Sequence, residues 1–247
     1  MRNRKNIINK DAHISVFSPG WWFYVILMIL GLFALTMVSK NMTYDQRLRM
    51  ILYLCIVELI ILRIYKYSLR YIRHDYNYYN ELPCYLCNQS SIMCTIAALT
   101  GNTQIMSYCF TIGTLGALLA VFMPDSHNRD QLFFSVQAVG FYGYHGLLIV
   151  TCLSFIATRV YEPVLTDCLS TMAIVVILVV IAHIINKYLR RKGLNPIANY
   201  DYTIDPEIGI LKKLYKLNPT ELFYLLPILP AFGAISYIIL MIFKVLL

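Results

Sequence analysis

Residues 165–186 read LTDCLSTMAIVVILVVIAHIIN, and beyond Asp167 this stretch holds no Asp, Glu, Lys or Arg until Lys187. A helix needs about 20 mostly apolar residues to cross the ~30 Å hydrocarbon core of a bilayer. Similar runs recur along the chain, so we predict an all-α polytopic membrane protein, a bundle of about seven transmembrane helices in one transmembrane domain. The predicted spans are 20–39, 48–66, 84–100, 104–123, 136–158, 165–186 and 221–245.

The composition supports a membrane protein. The 247 residues are 59% hydrophobic and 14% charged, with a mean hydropathy of +0.61, whereas a soluble domain carries about 25% charged residues. The net charge of +8 comes from basic residues in particular loops rather than from one patch, so it does not indicate nucleic-acid binding. The first apolar run begins at Trp21 and has no small-residue cleavage site before the next span, so we predict no removable signal peptide.

Lysine and arginine are distributed unequally between the two predicted sides of the bundle. With the N-terminus inside, sixteen lie on the inner side and five on the outer side. Cytoplasmic loops are enriched in these residues, so the N-terminus is predicted inside and the C-terminus outside. The inner side includes the long loop 187–220, and its basic loops are expected to attract anionic lipid headgroups. The outer five are Lys40, Arg47, Arg49, Arg159 and Lys244.

The entry to the third span is unusually polar. Residues 81–94 read ELPCYLCNQSSIMC, and a helical reading places Cys84 and Cys87 on one face, with Ser91 and Cys94 continuing it. Three interpretations compete: a zinc site, interhelical packing, or a nucleophile. Zinc is the weakest, because no second Cys/His pair of suitable spacing lies near. The residues alone do not separate the other two. The seven cysteines are an odd number in apolar runs, which does not suggest a disulfide framework.

His145 is a candidate partner for such a nucleophile. Ionisable residues inside spans are rare and face the bundle interior, and His145 lies between Gly143 and Gly146, small residues that let another helix approach. A purely structural histidine remains an alternative. Glu58, also within a span, is interpreted as a buried carboxylate that is neutral or paired with a neighbouring helix. If depth in the membrane is measured along the helix axis from the predicted start of each span, Cys87 and His145 differ by roughly 6 Å.

The segments ELPCYLC, MPD and HGLLI, followed by GLNPIANYDY, resemble the YwaF family of bacterial integral membrane proteins over residues 80–245. That family is similar to a eukaryotic seven-helix membrane acyltransferase, which uses an intramembrane cysteine and histidine to remodel phospholipid acyl chains. The resemblance makes Cys87 the nucleophile and His145 the histidine. The other positions that it matches are the corner Pro124–Asp125 and the segment Asn199–Tyr200. Bacterial relatives commonly carry a histidine where this chain has Tyr85.

The resemblance implies an intramembrane acyltransferase that moves a fatty acyl chain between membrane lipids through a cysteine thioester. Its substrates would be a phospholipid and a lysolipid, without cofactor or metal, in the plasma membrane of a bacterium. Oxyanion-stabilising residues are expected at the entry to the third span, and headgroup-binding residues in loop 187–220. The former are Tyr85, Asn88 and Gln89, and the latter Asn199, Tyr200 and Tyr202. The alternatives are a non-enzymatic lipid-binding or assembly protein and, fitting less well, a small transporter.

Overall fold

The structure is a computed structural model, and it describes residues 13–74, 78–124, 131–207 and 209–246. Asp125 of the predicted Pro-Asp corner lies outside these ranges. So do five of the cations used to predict the orientation: Arg2, Arg4, Lys5, Lys10 and Arg129.

Helices account for nearly all regular structure in the described residues, and the predicted all-α class is confirmed. The α-helices are α1 (Pro19–Ser39), α2 (Tyr44–Arg73), α3 (Leu86–Thr100), α4 (Thr103–Tyr108), α5 (Thr114–Phe122), α6 (Val136–Ala157), α7 (Asp167–Arg191), α8 (Gly209–Leu217) and α9 (Ile228–Leu246). A π-helical turn, Cys109–Gly113, joins α4 to α5, and 3-10 turns form at Tyr78–Asn80, Tyr200–Tyr202 and Phe223–Leu225. Two short strands, β1 (His13–Ile14) and β2 (Gln131–Leu132), pair antiparallel.

Local sequence explains where several helices begin. Ser18 caps α1 and is followed by Pro19, which is tolerated in a first turn. Thr43 and Gln46 form a reciprocal capping box at the start of α2. The Asn102 side chain accepts from the first N–H groups of α4, and Gly101 before it takes the left-handed conformation that ends α3. The signals at Thr43 and at Gly101–Asn102 set tight connections between successive helices.

Five helical segments are long and apolar enough to cross a membrane, by length and composition, within the described part of the chain. They are Pro19–Ser39, Thr103–Phe122, Val136–Ala157, Asp167–Arg191 and Phe223–Lys244. Large apolar side chains on α1, α7 and α9 are exposed, including Phe33, Ile177 and Ile238. Such surface is unfavourable in water, and it fits contact with lipid. The count of seven spans stays a prediction, because α3 has 15 residues and α2 carries charges along its length.

Helix α6 lies at the centre of the bundle. About 72% of the most apolar 18-residue stretch of α6 is buried, against 11% of the corresponding stretch of α1 and 17% of that of α7. Helix α6 packs on α1, α2, α3 and α5. We call the end at which α1, α3 and α6 begin the near end, and the opposite end the far end. At the near end the Trp21 indole N–H donates to the carbonyl of Val121 (3.0 Å). At the far end Arg47 donates to the carbonyl of Thr158 (2.9 Å).

The helix boundaries differ from the predicted spans at four places. Helix α2 runs from Tyr44 to Arg73, beyond both ends of the predicted span 48–66. Helix α3 begins at Leu86 rather than at residue 84. Helix α7 continues to Arg191, so the loop expected at 187–220 starts later and contains the amphipathic helix α8. The last span is broken around Leu226 and Pro227, and α9 begins at Ile228. The break follows from the prolines, because Pro227 lacks the N–H that a continuous helix would need.

Candidate functional site

The first turn of α3 is capped by a side chain from a distant part of the chain. Tyr85 occupies the N-cap position with extended backbone but makes no side-chain cap bond. Instead the Leu86 N–H donates to Asp201 Oδ1 (2.8 Å), 115 residues further along. This contact ties the 3-10 turn Tyr200–Tyr202 to the helix that carries Cys87, its second residue.

The prediction that Cys84 and Cys87 share one helical face is wrong. Because α3 begins at Leu86, Cys84 precedes the helix, and it packs instead in a small cluster with Ala182, Leu189 and Tyr200. Cys87 is half-buried within the first helical turn. There, backbone N–H groups lack intrahelical partners and the helix dipole places partial positive charge. Negative charge that develops on a substrate oxygen is favoured at such a position.

A buried polar network surrounds the next turn of α3. The Tyr144 hydroxyl of α6 donates to Asn88 Oδ1 (3.1 Å) and lies 2.8 Å from Ser91 Oγ. Ser91 also hydrogen-bonds with the carboxyl of Glu58, which is fully buried on α2. The interpretation of Glu58 as paired with a neighbouring helix is therefore confirmed. The network joins α2, α3 and α6 about one helical turn after Cys87 along α3.

His145 is held by the backbone of its own helix. Its Nδ1 lies 2.8 Å from the Phe141 carbonyl, which can only accept, so the proton belongs on Nδ1 and Nε2 of the neutral ring is the basic nitrogen. The ring also contacts Tyr144, at 4.9 Å between centroids. His145 thus has the tautomer and fixed orientation that a general base requires.

Helix register relates Cys87 to His145. Helices α3 and α6 run parallel, since contacts progress from Asn88–Tyr144 to Cys94–Cys152, where the Sγ atoms are 3.4 Å apart. Seven residues are two turns of a helix and return to nearly the same face. Two turns before this contact, α3 carries Cys87 and α6 carries His145. From this register we expect both side chains to face the interface shared by α3 and α6.

An apolar cavity of about 400 Å³ opens beside this turn. That volume lies in the range of small-molecule sites, ~300–1,000 Å³. Leu86, the residue before Cys87, lines it together with Asp201 and Tyr202, whereas Cys87 and His145 are not among its lining residues. The remaining walls are apolar side chains of α7, α8 and the broken last span: Val175, Val176, Val179, Val180, Leu211, Leu222, Phe223, Leu225, Leu226, Ile228, Leu229 and Phe232.

Three non-glycine residues of this cavity have a positive φ. Asp201, Tyr202 and Leu222 have φ of 53°, 55° and 59°. Such conformations cost of order 1 kcal/mol or more for a residue with a Cβ, and they concentrate at functional sites. Their clustering marks the cavity as a site where the chain accepts strain.

The predicted binding residues have different surroundings. Tyr85 is exposed and contacts the ring of Tyr200 edge-on, while the Gln89 amide donates to the carbonyl of Cys84 (3.0 Å). The Asn199 side chain bonds within its own loop, to Asp205 and Glu207. Buried Tyr200 is held through its backbone by Asn186. Of the loop residues Asn199, Tyr200 and Tyr202, Tyr202 is the one that lines the cavity. The binding roles of all six predicted residues stay predictions.

Sequence reasoning missed Asp201 and Tyr144 as members of the site. Asp201 stands in the segment NYDY, and no local pattern indicates that it caps a helix 115 residues earlier. Ser91 belongs to the polar face noted in the sequence, but only the pairing of α3 with α6 brings its hydroxyl to that of Tyr144. Within the residues that the structure describes, no group of three or more His, Cys, Asp or Glu is arranged to hold a metal ion.

Asp201 provides a test that depends on pH. Burial raises the pKa of its carboxyl from 3.8 to about 7, opposed by hydrogen bonds from Leu86 and Gln89. The folded protein therefore binds this proton more tightly than the unfolded chain, and the free energy of unfolding should fall as pH rises between these values. Asp201→Asn cannot ionise, and it keeps both the acceptor and tolerance of left-handed backbone. At about pH 8 its free energy of unfolding should exceed that of the wild type by roughly 1–2 kcal/mol, given the partial exposure of the side chain, and thermal unfolding in detergent measures the difference.

At about pH 3 the two proteins should have similar midpoints, because the Asp201 carboxyl of the wild type is then protonated in both the folded and the unfolded state and is neutral like the amide. An Asn variant whose midpoint falls with pH as steeply as that of the wild type would show that another group carries the dependence.

The fold and the site together define a multi-pass helical membrane protein with a cysteine, a histidine and an apolar cavity near one end of the bundle. The chain belongs to the TMEM164 family, whose model matches residues 14–244. Searches of curated proteins and of solved structures return no match. The resemblance to YwaF stays a prediction.

Proposed function

We propose that this protein is an intramembrane acyltransferase that transfers a fatty acyl chain between membrane lipids through a thioester on Cys87. The observation that carries the proposal is the register of α3 and α6. In that register Cys87 and His145 would face one interface, and an apolar cavity begins at Leu86, the residue before Cys87. The family match supports a membrane protein and leaves the reaction open.

In the first half-reaction, His145 Nε2 takes the proton of the Cys87 thiol as Sγ attacks the ester carbonyl carbon of a phospholipid. The tetrahedral intermediate collapses by breaking the carbon–oxygen bond to the glycerol. His145 then gives its proton to the departing alcohol oxygen. A thioester and a lysolipid are the products, and no oxidant or other co-reactant is needed.

In the second half-reaction, the hydroxyl of an acceptor lysolipid attacks the thioester carbonyl. His145 takes the hydroxyl proton, the carbon–sulfur bond breaks, and the Cys87 thiol recovers the proton. The same histidine thus serves as base and acid in both steps, which requires the basic nitrogen that its bond to Phe141 leaves at Nε2.

The start of α3 would stabilise the oxyanion. Its first-turn N–H groups point towards the near end, and charge developing on the carbonyl oxygen is favoured there. The Asn88 carbonyl oxygen already accepts from Tyr144. That bond fixes the orientation of the Asn88 side-chain amide, so that its N–H group would be positioned to donate to the oxyanion.

The loop after α7 would receive the polar part of the lipid. Arg190 pairs with Asp205 (2.6 Å) and Lys187 with Glu221 (2.7 Å), so the loop is folded onto the end of the helix. Helix α8 adds the cations Lys212, Lys213 and Lys216. Cations near a membrane surface attract anionic headgroups by about 1 kcal/mol each, which suits a loop that closes over the apolar cavity.

Covalent trapping tests the proposal. The purified full-length protein would be incubated with phosphatidylcholine carrying one isotope-labelled acyl chain, digested, and analysed by mass spectrometry. We expect a labelled, hydroxylamine-sensitive adduct on Cys87 and none on Cys84, three residues away. In His145→Gln the adduct should form about 10²-fold or more slowly, because the base is removed.

A wild-type protein that acquires no adduct while still retaining the labelled lipid would support the second candidate, a non-enzymatic lipid-binding protein. The apolar cavity alone favours that function. Adduct formation on Cys84 rather than on Cys87 would contradict the proposed site.

A further inference from the structure

A second cavity, of about 610 Å³, lies at the far end of the bundle, away from Cys87. Its apolar walls come from α1, the π-helical turn, the end of α6 and α9. The apolar and small polar residues that line it are Leu32, Thr36, Ser39, Phe110, Leu153, Ile156, Ala157, Thr158 and Phe243. Its remaining lining residues are the cations Lys40, Arg47 and Arg159.

The charge at this cavity is concentrated and has one sign. The end predicted to face outwards carries five basic residues, and three of them converge here, with no acidic residue in the lining. Arg47 is held in place by the carbonyls of Ser39 (3.1 Å) and Thr158 (2.9 Å). A guanidinium has five N–H donors, so donors remain for an anion.

The other two cations are exposed. Within the described parts of the chain, the side chains of Lys40 and Arg159 make no hydrogen bond or ion pair. Their charges therefore border the cavity without a protein partner in those ranges. Three cations with apolar surface directly below them match one kind of molecule, an anionic head joined to hydrocarbon.

The backbone at Arg159 is also strained. Its φ is 56°, in the left-handed region that follows the end of α6. Glycine is the usual residue at such a helix end, and a side chain with a Cβ costs of order 1 kcal/mol there. The chain thus places an arginine, rather than a glycine, at the rim of a cationic cavity. Outliers of this kind concentrate at ligand sites.

We propose that the far-end cavity binds an anionic phospholipid. Its phosphate lies among Lys40, Arg47 and Arg159, and an acyl chain lies along Leu32 and Leu153. This site is separate from the proposed acyl-transfer site at the near end. It does not depend on that reaction.

Lipid binding by the full-length protein tests this site. The protein in neutral detergent would be titrated with phosphatidylglycerol or phosphatidylcholine, and bound lipid counted by native mass spectrometry. We expect phosphatidylglycerol to bind more tightly. Arg159→Gly should weaken it about fivefold, the effect of one cation near a phosphate. The same change relieves the left-handed backbone, so thermal stability should stay equal or rise.

Lys40→Gln is a second variant on an exposed residue, with the same expected loss. Arg49→Gln is the matched control, because Arg49 lies at the same end but outside this cavity. An equal loss with Arg49→Gln would show bulk charge attraction and overturn the site. Full displacement of phosphatidylglycerol by equimolar inorganic phosphate would overturn it in favour of a free-anion site. Unchanged binding in both cavity variants would also overturn it.

Discussion

Replacement of Cys87 by alanine should abolish acyl transfer. The variant has no Sγ to form the thioester, so we expect transfer of a labelled chain from phosphatidylcholine to lysophosphatidylcholine to fall by about 10³-fold or more. The measurement uses purified full-length protein in lipid vesicles. Alanine introduces no new polar group in this half-buried turn, and the thermal midpoint should change little.

Cys84→Ala is the matched control for this prediction. Cys84 stands in the same stretch of sequence but packs in a different cluster, outside α3. We expect transfer within a few-fold of wild type. Undiminished transfer by Cys87→Ala, in a protein of normal midpoint, would exclude a nucleophilic role for this cysteine.

A methyl group at Gly140 should strongly destabilise the bundle. Gly140 faces α2, and a Cβ built there would lie 1.9 Å from Cδ2 and 2.3 Å from Cγ of Tyr65. The conflict involves the root of the ring, so the side chain cannot avoid it by moving only its tip. We expect Gly140→Ala to lower the free energy of unfolding by about 2–3 kcal/mol, the upper part of the range for overpacked cores. Thermal unfolding in detergent measures this loss.

Gly143 provides the control on the same helix. A Cβ there meets no atom of the described residues within 4 Å, while the helix propensity gained from alanine is the same, up to ~1 kcal/mol. Gly143→Ala should therefore leave the midpoint equal or raise it. Equal destabilisation by both changes would show that loss of glycine itself, rather than the contact with Tyr65, is responsible.

The glycines of α6 also show where sequence reasoning reached its limit. Gly143 and Gly146 beside His145 predict close helix approach. Gly146 does meet Met28 of α1 at 3.0 Å, whereas Gly143 faces open space and Gly140 makes the tightest approach. A run of small residues indicates that a helix is packed, but it does not show which helix lies against which glycine. That depends on the rotation of each helix in the bundle.

The sequence by itself determined the helices and the class of protein. Apolar runs such as 168–186 must satisfy their backbone groups internally, and the caps at Thr43 and Asn102 act over three residues. Both features can therefore be recognised from a short stretch of sequence. The sequence also singled out His145 as a rare ionisable residue within a span, whereas the choice of Cys87 among the cysteines came from the resemblance.

Only the tertiary structure decided what lies around those two residues. The Asp201 cap on α3 and the register set by Cys94 and Cys152 join positions 58 to 115 residues apart. Such contacts arise from packing whole helices, whose rotation and depth are fixed by many weak contacts summed over their surfaces. No short pattern encodes that sum. The cavities at the two ends of the bundle therefore became visible only in the assembled structure.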